Sequence, residues 1–205
     1  YKKIKYSKII LLFVCMFISF YIITKTSSEI LFTSILGGAA LYLLFVTSKD
    51  FLNKKLNISQ TISHFGFSLF VLSILFNSIF SNEFSANMKI GEQIKYKSEQ
   101  IKFLKVSTIN EINYKSVIAN FKITDENKNS IFLYPEIRIY NQPNILTSEA
   151  DIITTIFLDR FIVINLLKGK EIFNVRYQTK PFMLWIWISV CLTSIGGLLG
   201  LIKRN

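Results

Sequence analysis

The sequence predicts a membrane protein of four transmembrane α-helices with one extracytoplasmic all-β domain, a small sandwich or barrel, between the third and fourth helices. Three observations predict it. Hydrophobic residues make up 51% of the 205, the mean hydropathy is +0.40, and the excess is gathered in four blocks, unlike an ordinary soluble domain. A polar stretch from about Ser81 to Lys180 separates the third block from the fourth. Basic residues outside that stretch gather on the segments that share one membrane face.

The helices come first. Crossing a hydrocarbon core of about 30 Å at about 1.5 Å per residue takes roughly 20 apolar residues. Ile30–Ser48, Gln60–Phe80 and Pro181–Ile202 meet that length; Ile9–Thr24 is short and reaches by snorkelling of Lys8 and Lys25. The chain therefore divides into 1–59, two helices and a basic connector; 60–80, a helix bearing the only histidine; 81–180, the β domain; and 181–205, a last helix with a basic tail. The basic YKKIKYSK before an apolar run also suits a secretory leader, but no A-x-A-like cleavage site follows and a second span comes almost at once. The chain begins with Tyr1 rather than Met, which leaves open a fragment, a processed product or the C-terminal piece of a longer protein.

Orientation follows from charge. With the N-terminus inside, Tyr1–Lys8, Lys49–Ser59 and Lys203–Asn205 hold nine Lys or Arg against one acid, Asp50, whereas the short loop Lys25–Glu29 holds one of each. That is the positive-inside pattern, with both termini in the cytoplasm or matrix and the β domain outside. The 81–180 region has fourteen basic and eleven acidic residues, so most of the net +11 is a topology signal and no nucleic-acid footprint is expected. Asn57-Ile58-Ser59 spells a glycosylation sequon but falls on the inside face and is discarded.

In the outer domain, Ile101–Ile109 and Val117–Thr124 alternate in part and are rich in branched and aromatic residues, and the polar turn Asp125–Ser130 follows them. Ile131–Tyr140, broken by Pro135, comes next; then Phe161–Leu166 and Ile172–Tyr177, joined by a Lys168-Gly169-Lys170 turn. Asn141–Asp151 is the longest loop-like interruption.

The candidate chemistry is sparse. Cys15 and Cys191 sit inside predicted spans, in no ligand spacing, and are expected to be small buried apolar residues. Gly37-Gly38-Ala39-Ala40 and the Gly196/Gly200 pair suit either tight helix packing or close approach of a flat cofactor. His64 lies about one turn into the membrane, where a neutral imidazole needs a partner. A helix puts Ser68, Val71 and Leu75 on its face. It is either a hydrogen-bonded structural histidine or a haem axial ligand, with Gly66 leaving room and Phe65 and Phe67 lining a porphyrin. Arg176, Tyr177 and Lys180 lead into Pro181, at the first turn of a helix, and into Phe182, Trp185 and Trp187; this suits lipid anchoring at the outer interface, or contacts from Arg176 and Lys180 to haem propionates or a partner.

HFGFSLFVLSILFNS, YPEIRIYNQPNILTSEADI and RYQTKPFMLWIWISVCLTSIGGLLGL resemble the C-terminal portion of the CcmF family, the haem lyase component of cytochrome c maturation. The resemblance runs from about Gln60 to Lys203. It implies that His64 is one of two axial ligands of a membrane haem b, the second coming from another chain or a missing N-terminal part, and that quinol is the electron donor. Tyr134, Pro135, Glu136, Arg138, Tyr140, Thr147 and Glu149 are similar to the family's outer-domain pattern, with no catalytic role to assign. The tryptophan-rich haem-presenting loop, its flanking histidines and the other membrane ligand have no counterpart here, which implies a split gene, as in some mitochondria, or a piece of a longer bacterial chain. The richness in Lys, Ile, Asn and Phe suits an AT-rich genome.

The resemblance implies one part of a multi-subunit, thioether-forming lyase, not catalytic alone, in the mitochondrial or bacterial inner membrane with its β domain on the intermembrane-space or periplasmic side. Its partners would be the N-terminal part of the lyase, a haem chaperone and other maturation subunits, apocytochrome c and membrane lipids. The rival expectation is a non-enzymatic membrane-anchored β domain for partner docking or assembly, with His64 structural. A transporter is set aside because no inverted repeat is visible.

Overall fold

A computed structural model describes residues 6–24, 30–166 and 172–202. The basic residues before Tyr6, the Lys25–Glu29 loop, the Lys168-Gly169-Lys170 turn and the Lys203–Arg204 tail of the sequence reading lie outside the described residues. The chain forms two compact units: Tyr1–Ser81 with Thr155–Leu158 and Lys180–Asn205, and Asn82–Thr154 with Asp159–Thr179.

The first unit holds α1 (Tyr6–Ile23), α2 (Ile30–Leu52), α3 (Ile58–Phe80) and α4 (Met183–Ile202). Leu31–Leu52, Ile58–Phe80 and Met183–Ile202 are each long and apolar enough to cross a membrane, whereas the apolar part of α1, Lys8–Ile23, is shorter. Each helix packs on its neighbour in the chain, α1 on α2, α2 on α3 and α3 on α4. Small residues allow it: a Cβ on Gly38 would lie 2.7 Å from Met16 Cα, and one on Gly66 would lie 2.7 Å from the Thr193 amide nitrogen. A Cβ on Gly196 would come within 2.5 Å of the Ser63 amide nitrogen, and Ser59 Oγ donates to the Gly196 carbonyl at 2.8 Å. The stripes of small residues thus bring helix backbones together, and no flat cofactor is needed to explain them. The space that Gly66 leaves on its own side of α3 is taken by Thr193 of α4.

Pro181 does not open the last helix. It ends a strand, its carbonyl accepts from Asn77 Nδ2 at 2.6 Å, and Phe182 turns the chain into α4 through a left-handed conformation, φ 60°. The Phe182 ring packs on Phe76 at 5.3 Å and on Phe157 at 6.1 Å.

The second unit is a β-sandwich. One sheet has the order β1 (Asn82–Met88), β10 (Phe173–Pro181), β9 (Leu158–Leu166), β8 (Asp151–Thr154). The other runs β2 (Gln93–Tyr96), β3 (Glu99–Asn110), β4 (Tyr114–Thr124), β6 (Glu136–Tyr140), β7 (Leu146–Glu149), with β5 (Ser130–Leu133) also on β4. Phe103, Phe121, Leu133, Ile137, Ile162, Ile164 and Val175 point inward from alternate positions and are buried between the sheets. Four of these strands, β1, β2, β7 and β8, were not predicted. The Asn141–Asp151 segment is therefore only partly a loop: its Leu146–Glu149 portion pairs with β6, Arg138 opposite Thr147 and Glu136 opposite Glu149. Short polar sequences such as LTSE become strands because a neighbour supplies the ladder.

Candidate functional site

His64 stands six residues into α3, about 9 Å along its axis from Ile58. The helix buries Gly66, Ser68, Leu72 and Ser73. His64 is on the uncovered side and exposed, with no hydrogen-bond partner among the described residues. The stripe expected through Ser68 is not one surface, since Ser68 is fully buried and donates to the Phe65 carbonyl. The open seam instead runs through Gln60, His64, Phe67, Val71, Ile74 and Ser78, at alternating spacings of four and three; Val71 is half-buried and the others are exposed. That spacing is the one by which a helix presents a continuous stripe to a partner helix.

The other predicted residues have partners of their own. Arg176 forms a two-pronged pair with Glu83 on the neighbouring strand, Nε to Oε1 at 2.6 Å and an Nη to Oε2 at 2.8 Å. Lys180 is half-buried and engaged. It precedes Pro181, which is bonded to Asn77, thirteen residues or about 20 Å along α3 from His64. Cys15 is buried as expected, but Cys191 is exposed, because α4 packs on α3 and leaves its other side uncovered. Trp187 is exposed, while Trp185 stacks on Phe157 with ring centres 6.1 Å apart.

Two polar clusters stand in the sandwich; the sequence reading singled out Glu136, Arg138 and Tyr177 but not the partners that gather them. Glu99 on β3 accepts from the Tyr177 hydroxyl at 2.5 Å and from Arg160 Nε at 2.8 Å, tying one sheet to the other. Burial pushes the Tyr177 phenol up, and the Glu99 carboxylate beside it pushes it further. The second cluster lies on the outer face of the six-stranded sheet. Glu136 accepts from the Ser116 hydroxyl and is paired with Arg138, whose guanidinium lies 5.0 Å over the Tyr114 ring. Burial alone would raise the Glu136 carboxyl, but Ser116 and then Arg138 hold it below its ordinary value. These are the alternate residues of the YPEIRIYN string, and that alternation was the available signal. Tyr134 donates its amide to Asp151 Oδ2 at 2.6 Å, and the Pro135 carbonyl accepts from the Ala119 amide at 2.9 Å, so the string is pinned where β5 passes into β6.

No group of three or more His, Cys, Asp or Glu side chains capable of holding a metal ion occurs among the described residues. The donor set at His64 is one exposed imidazole with the Phe67 ring exposed beside it, which fits half of a haem site and not a whole one.

The profile of the CcmF C-terminal beta-sandwich matches residues 79–181. The chain belongs to that family. The CcmF "Cytochrome c-type biogenesis protein" of Escherichia coli is 29% identical over 141 residues, 67% of this chain and 21% of its own length. The protein of the same name from Haemophilus influenzae is 28% identical over 144 residues, 70% of this chain and 22% of its own. "Cytochrome c-type biogenesis protein ccl1" of Rhodobacter capsulatus is 30% identical over 117 residues, 57% of this chain and 18% of its own. The chain thus spans about a fifth of the length of the CcmF relatives it matches. A solved structure titled "Cytochrome c Heme Lyase CcmF" superposes with a TM-score of 0.72 at 16% identity, over 97% of this chain and 34% of that one, and shares its fold. Three apolar helices and these relatives make this an integral membrane protein, a C-terminal portion of CcmF.

Proposed function

We propose that this chain is the C-terminal part of a cytochrome c haem lyase and that His64 supplies one axial ligand of a membrane-embedded haem b. The observation that carries the reading is the exposed imidazole on an apolar helix, in a seam spaced for another helix. A polar ring facing lipid is costly, so a partner surface covers it in the working protein. That surface, from the N-terminal part of the lyase, would bring the second ligand. The bound haem would supply electron transfer, taking electrons from quinol to keep iron reduced for thioether formation. The work of this chain's own residues is narrower: the His64 imidazole would hold the iron, Phe67 would lie beside the ring system, and the seam would exclude water.

The same reading makes α1 a fourth span, places both termini in the cytoplasm or matrix, and sets the sandwich on the periplasmic or intermembrane-space side near a haem chaperone and apocytochrome c. The charge distribution supports that sidedness.

The test is the dithionite-reduced visible spectrum of the lyase complex purified through this chain, wild type beside His64→Ala. A b-type signal lost in the variant, with partners retained, supports the assignment. An unchanged signal refutes it and leaves a non-enzymatic, membrane-anchored docking module.

A further inference from the structure

The outer face of the six-stranded sheet carries a band of lysines that the haem site does not use. Lys102 on β3 and Lys122 on β4 are directly opposed partners in the antiparallel ladder. Lys95 pairs with Gln100 and Lys105 with Asn120, each two residues from that opposed pair and on the same face. Since strands lie about 4.8 Å apart and rise about 3.3 Å per residue, the four positions fall within a patch of roughly 10 by 13 Å. None of the four has an ionic partner among the described residues, whereas Arg138, Arg160 and Arg176 are each held by a glutamate.

Like charges directly opposite one another weaken a sheet. Protection of a sheet edge accounts for Lys95, on the edge strand β2, but not for Lys102 and Lys122, which face each other on two strands inside the sheet. The neighbours on this face, Gln93, Gln100, Asn120 and Thr124, are uncharged hydrogen-bonding side chains, and no carboxylate stands among them. Phe132, opposite Lys122 on β5, is 44% exposed and adds one apolar contact at the border.

We infer that this band is a docking site for an acidic stretch of a partner protein, about three or four carboxylates long. Charge complementarity selects the sign. The amide side chains between the lysines select a peptide, since they hydrogen-bond a backbone. A membrane-surface site would pair its cations with several inserted apolar side chains, and this band offers one ring.

The test uses the full chain in nanodiscs of phosphatidylcholine and a fluorescent peptide of alternating Glu and Gly, read by anisotropy. Lys102→Gln with Lys122→Gln is expected to weaken binding roughly fivefold or more, and raised salt to weaken it further. Lys89→Gln with Lys128→Gln, which removes the same charge off the band, should change it less than about twofold. Thermal unfolding of the Lys102/Lys122 variant should hold or rise, because a repulsion is removed. Equal losses in both variants, or no peptide binding, overturn the proposal. So does binding of phosphatidylglycerol vesicles that falls in the Lys102/Lys122 variant while peptide binding does not, which makes the occupant a lipid surface.

Discussion

Tyr177→Phe removes a single oxygen from the centre of the sandwich. The phenol is fully buried and donates to Glu99 Oε2 at 2.5 Å, while Glu99 keeps Arg160 on its other oxygen. A hydrogen bond to an ionised acceptor contributes about 1.5–3 kcal/mol. A domain of this size loses about 4–8 °C of unfolding temperature per kcal/mol, so the substitution lowers the sandwich transition by roughly 6–24 °C. Glu99→Gln keeps the shape but removes the charge that Arg160 faces, so it costs more. The assay is temperature-dependent hydrogen exchange by mass spectrometry on peptides from β3, β4 and β10, which reads the sandwich without the helices. Exchange in the Tyr177→Phe chain within about 2 °C of wild type refutes the reasoning. So does a Glu99→Gln/Tyr177→Phe double variant whose effect is the sum of the singles, since groups in one network are coupled.

Further outcomes are expected. His64→Ala, at an exposed position, leaves thermal stability within about 0.5 kcal/mol, as a melt in detergent will check. Gly66→Leu forces α4 off α3 through the Thr193 backbone and costs at least about 1–3 kcal/mol, visible as faster exchange in both helices. The Asp159 carboxyl is raised by burial, and one of its oxygens has no hydrogen-bond partner. Its contribution is therefore full below its unfolded value of about 3.9 and lost as pH rises, so Asp159→Asn stabilises at pH 7 but not at pH 3.5; Glu136, held low, does the reverse, and Glu136→Gln flattens the loss of stability on acidification. In a background without Cys15 and Cys191, Glu126→Cys reacts with an impermeant maleimide from outside and Lys54→Cys only after permeabilisation; the opposite labelling refutes the sidedness.

The helices were legible because lipid makes a demand that a one-dimensional count can read, namely about 20 apolar residues in a row. Their neighbours were legible only as small-residue stripes: Gly66 read as space for a porphyrin, and the structure fills it with Thr193. Strands β3, β4, β9 and β10 announced themselves by branched and aromatic alternation. In β1, Phe84, Ala86 and Met88 alternate too, but Ser85 and Asn87 between them, with Asn82 and Glu83 in front, masked the signal. β7 and β8 carry no such pattern and exist by pairing. The singular histidine made His64 the candidate, yet its exposure depends on which helices stand beside α3, which no local pattern encodes. Glu99 and Tyr177 are 78 residues apart, and their pairing could be found only in three dimensions.

Asn82 and Thr179 are partners at the mouth of the ladder, and the Asn77 side chain holds the Pro181 carbonyl just beyond it. The chain thus leaves one unit and returns to it through adjacent positions, about 5 Å apart. Topologically the sandwich is a cassette spliced into a helical hairpin. The splice has a second seam, because Thr155–Leu158 belongs to the helical unit and lays Phe157 against Phe182 and Trp185, so an exchange of the insert that spares the helix pair presenting His64 has to keep those four residues with it.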